Sequence, residues 1–303
     1  MIRVQVPATT ANLGPGFDCV GMALELYNVV EMVQTDKGLS IEVSGEGADF
    51  IARDSENLVY RSARQVFKQA GFHPDGLRIN LANNIPVARG LGSSTAAIVG
   101  GVIAANILSG RKLAQKDLIN LASSIEGHPD NVAAAVLGGI VISYRTDDEI
   151  SCVKIQPPEN MKCVLAIPDF YLPTKSARDV LPYQIPLQDV VFNLSRVALL
   201  VAALHRSDFT LLSAAMEDRL HQPFRAALIP GLKKVLAAAK LAGAKGVTIS
   251  GAGPAVIALA DSNAELIANV MGNTFRENGI QNKTVILKPS PVGARALEMK
   301  VTT

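Results

Sequence analysis

The chain has 303 residues, 49% of them hydrophobic, 18% charged and 5% aromatic, with 24 Gly and no Trp. A chain of this size buries most of its apolar surface without disulfides or a structural metal, divides into about two domains, and is too hydrophobic to stay disordered. Its 29 Lys+Arg against 27 Asp+Glu leave +2. That lacks the concentrated positive charge of a nonspecific nucleic-acid or anionic-membrane binder, so small-molecule partners are expected.

Residues 2–6 alternate like a strand and lack the basic start and continuous apolar run of an export signal. Cys19, Cys152 and Cys163 are odd in number and outside any Cys-x-x-Cys arrangement, which fits reduced thiols in the cytoplasm. Residues 7–18 are rich in Gly, Pro and polar side chains. They read as a loop that turns Asn12 and Asp18 toward a ligand. Strand character returns at 28–34 and 39–43. A helix follows over 57–70, with Leu58, Ala63, Val66 and Phe67 on one face and Asn57 suited to cap it.

After a strand at 77–81, residues 90–110 carry no charge and are long enough to cross a bilayer. Ser93, Ser94, Thr95 and Asn106 interrupt them, and Gly90, Gly92, Gly100 and Gly101 favour close backbone contact, so a buried core helix over 94–108 is expected. A helix at 116–125 comes next. Gly138-Gly139 stop another apolar helical stretch before strands at 140–144 and 150–155, which a turn at Asp147-Asp148-Glu149 separates. Pro157-Pro158 divide the chain into units 1–157 and 158–303. The second unit reads as strand 163–167, helices 190–205 and 232–242, strand 247–250, a helix opened by a Ser262/Glu265 capping-box spacing, and strand 284–287. Two α+β domains result.

Three motifs carry chemistry. Pro86-Val87-Ala88-Arg89-Gly90-Leu91-Gly92-Ser93-Ser94-Thr95-Ala96 leads straight into the small-residue helix. Its glycines let backbone amides approach an anion, the first helical turn adds partial positive charge, and its hydroxyls suit phosphate or Mg²⁺. The spelling is neither the common P-loop nor a dinucleotide fingerprint. Ser250-Gly251-Ala252-Gly253-Pro254 is the second motif, and a tight strand-to-strand turn accounts for it equally. The third is the stretch from Pro7 to Asp18.

In this order the motifs resemble the family of small-molecule kinases that includes galactokinase, homoserine kinase and mevalonate kinase. The resemblance extends through Glu126-Gly127-His128-Pro129-Asp130-Asn131, residues 174–178 and residues 222–225. It implies an N-terminal nucleotide-binding α+β domain, a ferredoxin-like C-terminal domain, an active site between them, and often a homodimer. It also implies transfer of phosphate from ATP to the side-chain hydroxyl of L-homoserine, giving O-phospho-L-homoserine on the route to threonine. Another small alcohol is the alternative acceptor, and a nucleotide binder without activity is a third reading.

By the same resemblance, residues 86–96 with Gly251 and Gly253 hold ATP, and Asn57 lies near the adenine. An amino-acid acceptor carries a carboxylate, an ammonium and a hydroxyl. Arg178 and Arg225 suit the carboxylate because a guanidinium donates two parallel hydrogen bonds. Asp18 suits the ammonium, Asn12 and Asn131 orient the hydroxyl, and His128 and Thr174 line the site. Relatives often have Asp where this chain has Asn131. A neutral amide cannot act as a base, so direct in-line attack is expected, with Asp130 the competing base. Ser94 and Glu126 are the expected Mg²⁺ ligands, although relatives place the metal glutamate nearer Asn120.

Overall fold

The computed structural model describes residues 1–147 and 149–297. Asp148, in the middle of the expected charged turn, lies outside the described residues. The first layer is a mixed sheet. Strands β1 (Ile2–Asn12) and β2 (Gly16–Thr35) form a long antiparallel hairpin, so most of the expected loop at 7–18 is strand. Register shifts at Pro7/Ala8 and Ala11/Asn12 absorb the proline and the sharp turn. Strand β3 (Gly38–Gly45) runs parallel to β4 (Gly76–Asn83), joined by the crossover helix α1 (Leu58–Ala70).

Helix α2 (Ser93–Leu108) follows, buried around Ile98, Val99, Val102 and Ala105 in the core beneath β1 and β2. The uncharged stretch is thus a core helix, as its small residues suggested. Helices α3 (Gln115–Glu126) and α4 (Asp130–Leu137) pack beside it. The hairpin β5 (Ile140–Thr146) and β6 (Glu149–Ile155) then joins β2.

Beyond Pro157-Pro158 a second sheet forms from β7 (Lys162–Pro168), β8 (Gly246–Ile249), β9 (Val256–Ala260) and β10 (Asn282–Leu287). Its order is β10-β7-β9-β8, entirely antiparallel. Helices α5 (Thr174–Asp179), α6 (Leu187–Arg206), α7 (Leu212–Ala215), α8 (Gln222–Arg225) and α9 (Leu232–Leu241) lie between β7 and β8. Helix α10 (Ala264–Glu277) links β9 to β10. Strand order 4-1-3-2 with this helix placement is the ferredoxin-like arrangement expected.

Both faces of this sheet are covered. Val164 and Ala166 face the core beneath α9 and α10, while Cys163, Leu165 and Ile167 face the core shared with the first sheet. An apolar run follows where a half-exposed strand would alternate. Two local expectations change. Ser262 does not cap α10, because Asn263 takes a left-handed conformation (φ 55°) and the Ser262 hydroxyl donates to Asp261. The last segment also leaves the second unit: the Ser290 and Ala294 amides bond to Ala23 and Ala135, and β11 (Arg295–Ala296) pairs with β1. Backbone groups at the β1 edge draw it there.

Candidate active site

Where the two layers meet, a cavity of about 320 Å³ is lined by the turn before α2, the N-terminal hairpin, the α3–α4 junction, α5, α8 and the β8–β9 turn. The turn before α2 is wound through left-handed residues at Ala88, Gly90 and Gly92. Gly90 and Gly92 are required there. A Cβ at Gly90 would lie 2.2 Å from the Ser250 carbonyl, and one at Gly92 would lie 2.0 Å from Thr9 Oγ1. Gly92 gives α2 no side-chain cap. Ala96 is the first amide to bond back into the helix, to the Gly92 carbonyl. The amides of Ser93, Ser94 and Thr95 make no hydrogen bond among the described residues, which leaves an electropositive helix end at the cavity wall.

The β8–β9 turn is the strand-to-strand turn that is one of its two readings. It closes a hairpin, and Ser250 Oγ donates to the Gly90 carbonyl at 2.6 Å. The Gly251 amide bonds to Ala11, and the Gly251 carbonyl accepts from Asn12 Nδ2 at 2.9 Å. Gly251 lines the cavity. Gly253 instead turns its amide to Ser250 and packs toward Ile229 and Leu172, behind the wall. Pro86 faces a neighbouring groove with Tyr171, and buried Thr95 spends its hydroxyl on Glu126. The other members of 87–96 line the cavity. Arg89 does so with its guanidinium turned to Asp169 (3.3 Å) and stacked 4.2 Å from the Tyr171 ring centroid.

Asn57 caps α1: its Oδ1 accepts from the Val59 amide at 3.0 Å and the Tyr60 amide at 3.4 Å, and its Nδ2 donates to the Ala52 carbonyl. It lines the cavity, but with its Oδ1 spent on the helix and an N–H on the loop before it. Sequence reasoning missed the rest of that wall, Val30, Ile51, Leu81, Asn28 and Asn83, because separate strands and a loop bring them together.

At the opposite end, Ser94 Oγ and Thr95 Oγ1 both donate to Glu126 Oε1, at 2.8 and 2.7 Å. A carboxylate there is stabilised by the α2 N-terminus. Asn120 is engaged with the Ile150 amide and does not line the cavity. One carboxylate with a hydroxyl is an all-oxygen donor set, which suits a hard cation that keeps phosphate and water as its remaining ligands. No cluster of three or more acidic, His or Cys residues offers a rival metal site among the described residues.

The residues expected at the acceptor site all line the cavity. Arg178 donates to both Asp18 oxygens, at 3.0 and 2.7 Å, across 160 positions of sequence. Asn12 Oδ1 accepts from the Asp18 amide, so Asn12 braces the turn and retains one free N–H. Asn131 Oδ1 accepts from Thr9 at 2.7 Å, and its Nδ2 points 3.3 Å from Asp130. It therefore keeps one N–H and one oxygen lone pair for a ligand. Arg225 is buried, with Nε donating to the Ala177 carbonyl and Nη1 to the Gly251 carbonyl, each at 3.0 Å. Burial lowers its pKa to about 10, with Arg178 acting in the same sense, so it remains a cation at neutral pH. Thr174 opens α5 at the cavity rim.

Asp130 Oδ1 accepts from the Asn131 amide at 2.7 Å and lies 2.8 Å from His128 Nδ1. Burial alone would lower His128, but the hydrogen bond and charge of Asp130, with the charge of Glu126, outweigh it and raise the pKa above 6.5. The raised folded value means this pair stabilises the protein below the unfolded pKa, and the stabilisation disappears as pH rises through the folded one. In an NMR titration, His128 is expected to titrate above 6.5 in the parent and below it in Asp130→Asn, where burial prevails. An unmoved midpoint would show that Asp130 is not the cause.

The chain matches the GHMP kinases N terminal domain over residues 57–139 and the GHMP kinases C terminal domain over 200–277. It belongs to that family of phosphotransferases. Within it the chain belongs with the homoserine kinases. It is 47% identical to the homoserine kinase of Carboxydothermus hydrogenoformans, over 97% of this chain and 96% of that one. It is 46% identical to the homoserine kinase of Moorella thermoacetica, over 97% and 99%. A homoserine kinase structure from Cytophaga hutchinsonii superposes with TM-score 0.89 at 35% identity, covering 98% of this chain and 97% of that one. A mevalonate kinase structure at 15% identity, TM-score 0.71, covering 96% and 99%, shows the shared fold.

Proposed function

We propose that the protein transfers the γ-phosphoryl group of ATP to the side-chain hydroxyl of L-homoserine, in the cytoplasm and as a homodimer, without nucleic-acid or membrane partners. One observation carries this reading: a single cavity joins an uncapped helix N-terminus to the Asp18, Arg178 and Arg225 set. The polyphosphate lies against the free amides of Ser93, Ser94 and Thr95. Arg178 and Arg225 take the substrate carboxylate, and Asp18 takes its ammonium. Opening the Asp18–Arg178 pair for a zwitterion gives each group a new opposite charge, so neither is left unpaired.

The remaining N–H groups of Asn12 and Asn131 direct the hydroxyl at phosphorus. The new O–P bond forms as the bond to the β,γ-bridging oxygen breaks. ADP leaves, and the hydroxyl proton passes to an oxygen of the transferred phosphoryl group. The Asn131 side chain is a neutral amide, not a base, and takes no proton. A loose transition state needs little early deprotonation, so alignment and charge stabilisation supply the catalysis and no phosphoenzyme forms. Ser94 and Glu126 would hold Mg²⁺, whose charge would neutralise the phosphates.

A coupled ADP-release assay tests this. L-Homoserine is expected to exceed L-serine, one methylene shorter, by about 10–200-fold in kcat/KM. L-Threonine and mevalonate should fall lower still. Equal or faster turnover of any of these three would overturn the assignment.

A further inference from the structure

His221 has no task in the reaction above, yet it is fully buried beside the acceptor site, stacked on Phe17 with ring centroids 5.3 Å apart. Its Nδ1 lies 3.1 Å from Arg225 Nη1, and a guanidinium only donates, so Nδ1 carries the lone pair. Its Nε2 lies 2.8 Å from the Gly14 carbonyl, which only accepts, so Nε2 carries the hydrogen. The network assigns the neutral Nε2–H tautomer. Burial lowers the imidazole pKa; Asp218, 3.6 Å from Nε2, opposes this, Arg225 adds to it, and the Gly14 carbonyl and Asp18 oppose it without reversing it.

Three contacts thus immobilise two nitrogens of Arg225: Ala177 on Nε, and Gly251 and His221 on Nη1. Nη2 makes no hydrogen bond among the described residues, and Arg225 lines the cavity. We propose that His221 is a positioning residue for the acceptor substrate: as a neutral acceptor it fixes the Arg225 guanidinium plane, so that the free Nη2 edge stays aimed at the substrate carboxylate. Through Gly14 it also ties that guanidinium to the turn leading to Asp18. The proposal rests on the assignment of Arg225 to the carboxylate.

Two substitutions divide the imidazole's functions. The Asn oxygen in His221→Asn occupies about the place of Nδ1 and keeps the acceptor for Arg225. The Gln amide in His221→Gln reaches about as far as Nε2 and keeps only the donor to Gly14. His221→Gln is expected to raise KM for L-homoserine about tenfold, leaving kcat and KM for ATP within about twofold. His221→Asn should stay within about threefold of the parent. Equal rises in both variants, or no rise in His221→Gln, would overturn the proposal.

Arg225→Lys, measured alongside, separates the premise from the inference. If it leaves KM for L-homoserine unchanged, the role of Arg225 fails; if it raises KM while His221→Gln does not, only the role of His221 fails. A ¹⁵N spectrum of the unmodified protein, independent of variant folding, should show His221 bare at Nδ1 and protonated at Nε2 from about pH 6 to 8. The opposite tautomer or an imidazolium there would overturn the proposal.

Discussion

Gly92→Ala is expected to lower kcat/KM about a hundredfold for both ATP and L-homoserine. The added methyl forces alanine into a left-handed conformation at φ 70° and aims its Cβ at Thr9 Oγ1, 2.0 Å away. Thr9 cannot yield cheaply. It is fully buried, its amide bonds to the Leu91 carbonyl, and its hydroxyl is the partner that turns Asn131. The left-handed conformation costs about 1–2 kcal/mol, and disturbing the Thr9–Asn131 bond about 1–3 kcal/mol more. At about 1.4 kcal/mol per decade, that strain removes about two decades of rate. It falls on both substrates because one contact links the turn proposed to hold the nucleotide to the residue proposed to direct the hydroxyl. Steady-state kinetics against each substrate check this, and a variant within twofold of the parent would contradict the account.

Arg225→Met should produce the larger loss for the acceptor, about a thousandfold or more in kcat/KM for L-homoserine, with KM for ATP little changed. Two causes combine. The cation whose Nη2 faces the carboxylate disappears, and the Ala177 carbonyl, the Gly251 carbonyl and His221 Nδ1 lose a donor in a buried setting. Arg225→Lys restores charge but not the planar fork, so it is expected to recover less than a tenth of the parent activity. Thermal melting should fall in both variants. A kcat/KM for L-homoserine within about tenfold of the parent in Arg225→Met would exclude this arginine from the substrate site.

What the sequence made legible was local. A Gly-rich turn before a small-residue helix and a cap at Asn57 each depend on a few neighbouring residues, and the structure forms both. The joint order of motifs carried the family, and with it the two-layer architecture. Non-local features were harder to read. Residues 7–12 have a loop's composition, but bulges and the pull of β2 keep them in a strand. The Asp18–Arg178 pair joins positions 160 apart, and the cavity wall beside Asn57 is assembled from strands and a loop. Return of the C-terminal segment to β1 leaves no composition signal at all. His221 did leave one: it stands four residues before Arg225, the spacing that puts two side chains on one helical face. Ser262 shows the converse, a correct capping spacing defeated by the backbone conformation of the next residue.

The most direct measurement is a crystal structure of the protein with a nonhydrolysable ATP analogue and L-homoserine. The account predicts the β- and γ-phosphates against the amides of Ser93, Ser94 and Thr95, with the amino-acid carboxylate on Arg178 and Arg225 and its hydroxyl facing the γ-phosphorus. Phosphates bound away from that helix end, or an acceptor carboxylate that touches neither arginine, would contradict it.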